Sequence, residues 1–149
     1  MNSAGPRLLL ILVAALLVPC CTGKASANDK ELRTFLERYF ATWSAQDMDG
    51  YGACFSEQAH VTFVTKEGRA DAMGLTDFLH SQRMAHQSSP VRMNEVPLEM
   101  NIRPGRLITQ ASVTWKLTKG SEVHTGTDYF TLIKAQDGWH IIALAFDQD

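Results

Sequence analysis

From Pro90 to its end the chain is patterned almost entirely as β-strand, in four segments parted by turn residues. The segments are Arg92 to Ile102, Leu107 to Leu117, Glu122 to Ala135 and Trp139 to Phe146, and the turns are Pro104-Gly105, Lys119-Gly120 and Asp137-Gly138. Connections this short join antiparallel neighbours, so this half predicts consecutive hairpins of one antiparallel sheet. Alternation is clearest in Leu107 to Leu117. Leu107, Thr109, Ala111, Val113, Trp115 and Leu117 share a core face there, and Ile108, Gln110, Ser112, Thr114 and Lys116 share a wetter one. Pro97 has no N–H to give a ladder, which places its strand at an edge or a bulge.

The preceding half is mostly helical. Leu32, Phe35, Leu36, Tyr39, Phe40 and Trp43 recur at three- and four-residue steps between Asp29 and Gln46, with Glu31, Arg33, Glu37 and Arg38 opposite them. Asp47 is placed to cap a short second helix reaching Cys54 and Phe55. A short strand follows from His60 to Thr65, with a turn at Lys66-Glu67-Gly68. A second long helix starts at Asp71 or Thr76 and runs to His86, carrying Met73, Leu75, Phe78, Leu79 and Met84 on its apolar side; Ser88-Ser89-Pro90 ends it. Helices first and hairpins after predict an α+β domain in which a strongly curved antiparallel sheet wraps around N-terminal helices.

Residues 1–27 read as a signal peptide outside that domain. Arg7 precedes an uncharged run from Leu8 to Val18, and small residues end it at Ala25-Ser26-Ala27. The run has 11 residues, short of the ~20 that cross a bilayer. Export, to a periplasm or the extracellular space, is the expectation; a lipid anchor at Cys20 or Cys21 is the alternative, and the only one that would bring in a membrane. Of the 14 lysines and arginines the leader takes Arg7 and Lys24, leaving 12 against 16 acids, a net charge of about −4. With no basic block, nucleic acid is not an expected partner. Cleavage leaves Cys54 alone, so an intramolecular disulfide is excluded.

Arg38-Tyr39-Phe40-Ala41-Thr42-Trp43, then Gln46-Asp47-Met48-Asp49-Gly50, Phe55 and finally Asp137-Gly138-Trp139-His140-Ile141 succeed one another along residues 28–149. That succession resembles the SnoaL-like and ketosteroid isomerase-like proteins of the nuclear transport factor 2 superfamily. The resemblance implies a cone-shaped fold with an apolar pocket at its open end, and frequently a homodimer. Its members include isomerases, cyclases, dehydratases and plain association domains, so the pocket residues have to choose the function. Among the isomerases, a helix tyrosine and a protonated strand aspartic acid form an oxyanion hole, and a carboxylate on the first strand is the base. The matching positions here are Tyr39, Asp128 and Phe63. A phenylalanine cannot abstract a proton, so steroid isomerase activity is not expected.

Each candidate has a plainer role beside its functional one. Tyr39 is a pocket hydroxyl or a core aromatic with its hydroxyl satisfied. Asp128 shares a strand face with Phe130 and Leu132, where a carboxyl must be paired or protonated, unless a bulge after Gly126 turns it outward. His60 and Phe63 are expected near the pocket mouth. Trp43, Trp115 and Phe130 are pocket wall or simple packing. Ala143 and Ala145, alternating with Leu144 and Phe146, are expected to leave the cone hollow. None of His60, His80, His86, His124 and His140 stands in a metal-binding spacing, and no motif calls for a metal or cofactor. Three readings follow: a pocket for a small apolar or carbonyl-bearing molecule; an isomerase-, cyclase- or hydratase-type enzyme using Asp128 with Tyr39; and a non-catalytic homodimeric module joined through Gln110, Ser112, Thr114 and Lys116.

Overall fold

A computed structural model describes residues 27–149. The expected signal peptide of residues 1–27, with Cys20 and Cys21, lies outside the described residues except for Ala27, which begins the first helix. No described helix is long and apolar enough to cross a membrane.

Helix α1 (Ala27–Ser44) buries the six apolar residues that its periodicity selects. Asp47 accepts the Gly50 N–H at 2.9 Å and caps α2 (Met48–Gly52). Strand β1 (Phe55–Val64) turns into β2 (Ala70–Gly74), and α3 (Leu75–Ser88) returns the chain to the sheet. Strands β3 (Met93–Arg103), β4 (Thr109–Lys119), β5 (Glu122–Ala135) and β6 (Gly138–Gln148) follow. They form one curved six-stranded sheet in the order β2-β1-β6-β5-β4-β3. The helices cover its concave side, α1 against β3 and α3 against β1, over a single core.

The α+β layout and the three C-terminal hairpins match the sequence pattern, with five differences. Helix α2 stops at Gly52, short of Cys54, and Phe55 opens β1 instead of ending the helix. β1 pairs with β6 in parallel, because the last strand lies between its antiparallel hairpin partner β5 and the first strand. Residues 70–74 form β2, so the helix begins near the later of its two expected starts and Met73, expected on its apolar side, lies on a strand. Met84 of α3 is exposed, and His86 is buried in its stead. Leu107 is 70% exposed, since β4 starts only at Thr109 and leaves it in the preceding turn. Pro97 satisfies both halves of its expectation: β3 is an edge strand, and its register shifts between Pro97 and Glu99, where Leu98 bulges into solvent.

Candidate functional site

Strand β5 pairs with β4 without interruption from Glu122 to Leu132, so no bulge follows Gly126 and Asp128 faces inward beside Phe130. It is 4% exposed. Trp115 Nε1 donates to its Oδ1 at 2.9 Å, and the Tyr39 hydroxyl donates to its Oδ2 at 3.2 Å. The Tyr51 hydroxyl in turn donates to Tyr39 at 2.8 Å. Three hydroxyl and indole donors from α1, α2 and β4 thus run in one direction and end on a single carboxyl.

Beside this chain lies a cavity of about 200 Å³. Tyr39 and Trp43 of α1, Tyr51 of α2, and Phe78 and Gln82 of α3 wall it on the helical side. The sheet contributes Glu95, Trp115, Leu117, Asp128, Leu144, Phe146 and Gln148. Half of the wall residues are aromatic, two bear carboxyl groups, and none is a lysine, arginine or histidine.

Burial pushes the Asp128 carboxyl up to about 7, with Asp147 adding to the rise and the Trp115 and Tyr39 donors opposing it. Burial, then the neighbouring Asp128, raises Glu95 well above the usual carboxylate range. Tyr39 is raised well above an ordinary tyrosine by burial and next by Asp128, and Tyr51 chiefly by burial. Both phenols therefore remain donors, while Asp128 near neutrality can accept a hydrogen bond or supply a proton.

Of the sequence-predicted residues, Tyr39, Asp128, Trp43 and Trp115 come together around the cavity. Phe130 lies behind it, edge-on to Tyr39 at 5.2 Å. Phe63 stacks near Phe146 at 5.2 Å on the inner face, and no acid takes its place. Ala143 and Ala145 require a correction. Leu132 pairs with Ile141 but Thr131 pairs with Ala143, so Ile142 is an extra residue that inverts the alternation. Leu144 and Phe146 consequently face inward, while Ala143 and Ala145 join His60 on the outer face. His60 is exposed there and does not reach the cavity. Ala145 borders a separate outer groove of about 340 Å³ with Arg103, Gln110 and Tyr129, which lacks any buried acid.

Among the cavity residues that escaped the sequence reading are Glu95 and Tyr51, the two that bear on its chemistry. Glu95 shares the parity of the buried Met93 on an edge strand, which was the available sign that it turns inward. Tyr51 sits on a helix of five residues, too short for periodicity to assign its face.

Solved structures share the fold at low identity. A nuclear transport factor 2-like protein of unknown function from Pseudomonas putida superposes with a TM-score of 0.68 at 12% identity, over 79% of this chain and 84% of its own. A protein of unknown function from Mycobacterium tuberculosis gives 0.66 at 19%, over 80% and 70%. A "putative dehydratase" of the same fold family from Streptomyces avermitilis gives 0.65 at 8%, over 80% and 94%. No curated protein matches the chain. The likenesses to solved structures show the cone-shaped fold of the nuclear transport factor 2-like proteins, and the model of the family described as "Putative lumazine-binding" matches residues 27–147, so the chain belongs to that family.

Proposed function

We propose that this chain is an exported small-molecule-binding protein, whose ligand is small and apolar or carbonyl-bearing and occupies the cavity between the helices and the sheet. The observation that carries this reading is the aromatic cavity of about 200 Å³ with Tyr39 and Asp128 both on its wall. A concave site with aromatic walls and a few convergent polar groups is the usual form of a ligand site. The family description supports it too, since lumazine is a flat heterocycle bearing carbonyls.

Trp43 and Trp115 line the cavity, so binding is read from their fluorescence. Lumazine and a hydrophobic dye are titrated into residues 28–149. Saturable quenching that weakens in Tyr39→Phe and Asp128→Asn is the expected result. No binding of either probe, or binding indifferent to both substitutions, sinks the proposal.

The position of Asp128 near pH 7 favours a second reading, in which Asp128, assisted by Tyr39, moves a proton in an isomerase-, cyclase- or hydratase-type reaction. A measured Asp128 pKa close to that of a free aspartate removes it. Export and homodimerisation through the outer face belong to the same proposal, and fractionation and sedimentation test them.

A further inference from the structure

The cavity contains one acid more than a carbonyl ligand needs. Asp128 has both oxygens engaged by Trp115 and Tyr39. Glu95 is different: its backbone N–H and C=O are both held by the Ser44 hydroxyl, at 2.8 and 2.9 Å, and among the described residues no donor reaches its carboxyl. It is thus an anchored acceptor without an internal partner. Two carboxyls facing one half-open cavity repel when both are ionised, and a partly buried charge gains from a partner of opposite sign. Nothing in the wall does so. Tyr39 and Tyr51 are its other titratable groups, α3 contributes only Phe78 and Gln82, and β6 contributes Leu144, Phe146 and Gln148.

We propose that the ligand carries a positively charged nitrogen: a small organic ammonium whose N–H groups lie between Glu95 and Asp128 while its apolar body packs against Trp43 and Trp115. This rests on the pocket reading above and names the ligand class. An ammonium brings three donors and no acceptor, matching the unfilled capacity of Glu95. Its charge lets both acids ionise together. Aromatic walls attract cations through their ring faces. A carboxylate ligand meets two acids and no cation, and is excluded. Because burial and mutual repulsion hold protons on the empty site, binding of the cation releases protons, and its affinity rises with pH.

The test uses three one-ring probes of matched size with the wild-type chain: benzylammonium, benzyl alcohol and benzoate, titrated by tryptophan fluorescence. Benzylammonium is expected to bind about tenfold more tightly than benzyl alcohol at about pH 8, with benzoate not binding. Between about pH 8 and pH 5 the ammonium affinity should fall about tenfold, while that of the alcohol stays level. Glu95→Gln should weaken the ammonium about tenfold and leave the alcohol unchanged. Benzyl alcohol binding as tightly as the ammonium overturns the proposal and leaves the pocket standing. An ammonium affinity untouched by Glu95→Gln in a folded variant overturns the role of Glu95. If none of the three probes binds while lumazine or the dye does, the proposal is overturned and the pocket stands; if those fail as well, the pocket reading falls with it. Should Glu95→Gln fail to fold, the wild-type comparison and its pH dependence decide alone.

Discussion

The indole N–H of Trp115 on β4 reaches Oδ1 of Asp128 on β5 at 2.9 Å by passing over Gly126, the residue that faces Trp115 in the ladder. A glycine is required there. A Cβ on residue 126 would sit inside the Trp115 ring, 2.7 Å from its Cη2, and also against the Asp147 carbonyl of β6. The donor that fixes Asp128 therefore depends on the absence of a side chain two residues earlier on the same strand.

Gly126→Ala should accordingly do more than crowd a surface strand. The methyl has to displace a buried indole or a backbone carbonyl, and overpacking of this kind costs about 2 to 3 kcal/mol. Urea unfolding measures the loss, and tryptophan fluorescence reports the moved ring. A cost within about 0.5 kcal/mol, the range of an unremarkable surface change, would show that Trp115 has another way to lie.

Asp128 also makes stability depend on pH, and its sign is unusual for a carboxylate. Its folded pKa, about 7, lies above its ordinary value of 3.8, so the native state keeps a proton that the unfolded chain gives up. The contribution is fully present below about pH 4, is lost as pH rises toward 7 and is flat above that, with a span on the order of a few kcal/mol. Glu95, also raised, acts in the same direction. His86, lowered by burial, acts in the opposite one, losing stability as pH falls. Comparing wild type with Asp128→Asn at each pH isolates the aspartate: the difference in urea midpoint should favour the variant increasingly from pH 4 to 7. A constant difference would mean that Asp128 titrates as it does in the unfolded chain.

Much of this was legible in the sequence, and the failures have physical causes. The stripe from Leu32 to Trp43 could only be a helix with one buried face, and strict alternation through Ala111, Val113 and Trp115 fixed both faces of β4. Asp128 was readable because its parity with Phe130 forces a carboxyl into the core. Ala143 and Ala145 were misassigned by a single inserted residue: alternation carried on from Trp139 and Ile141 points them inward, and the bulge at Ile142, which no turn residue announces, reverses them. The parallel β1–β6 pairing is a long-range choice that local pattern does not encode. Glu95 was missed because a charged residue on an edge strand is ordinarily solvated, although its parity with Met93 turns it inward and Ser44 holds its backbone from outside the strand.

That anchor yields a last prediction. An edge strand presents one row of backbone groups without a ladder partner, and on β3 the N–H and C=O of Glu95 point away from β4 toward the end of α1. The Ser44 hydroxyl answers both, accepting from the N–H at 2.8 Å and donating to the C=O at 2.9 Å, while the Ser44 carbonyl receives Arg92 at 3.3 Å. Ser44→Ala leaves two partly buried backbone groups unmatched and should cost about 1 to 2 kcal/mol, whereas Ser44→Thr, which keeps the hydroxyl, should retain most of the stability. Hydrogen exchange supplies the local readout, since the Glu95 amide should lose protection in the alanine variant ahead of its neighbours on β4. Unchanged Glu95 exchange in that variant would show that β3 holds its place without α1, and the orientation of Glu95 toward the cavity would then have to come from the sheet alone.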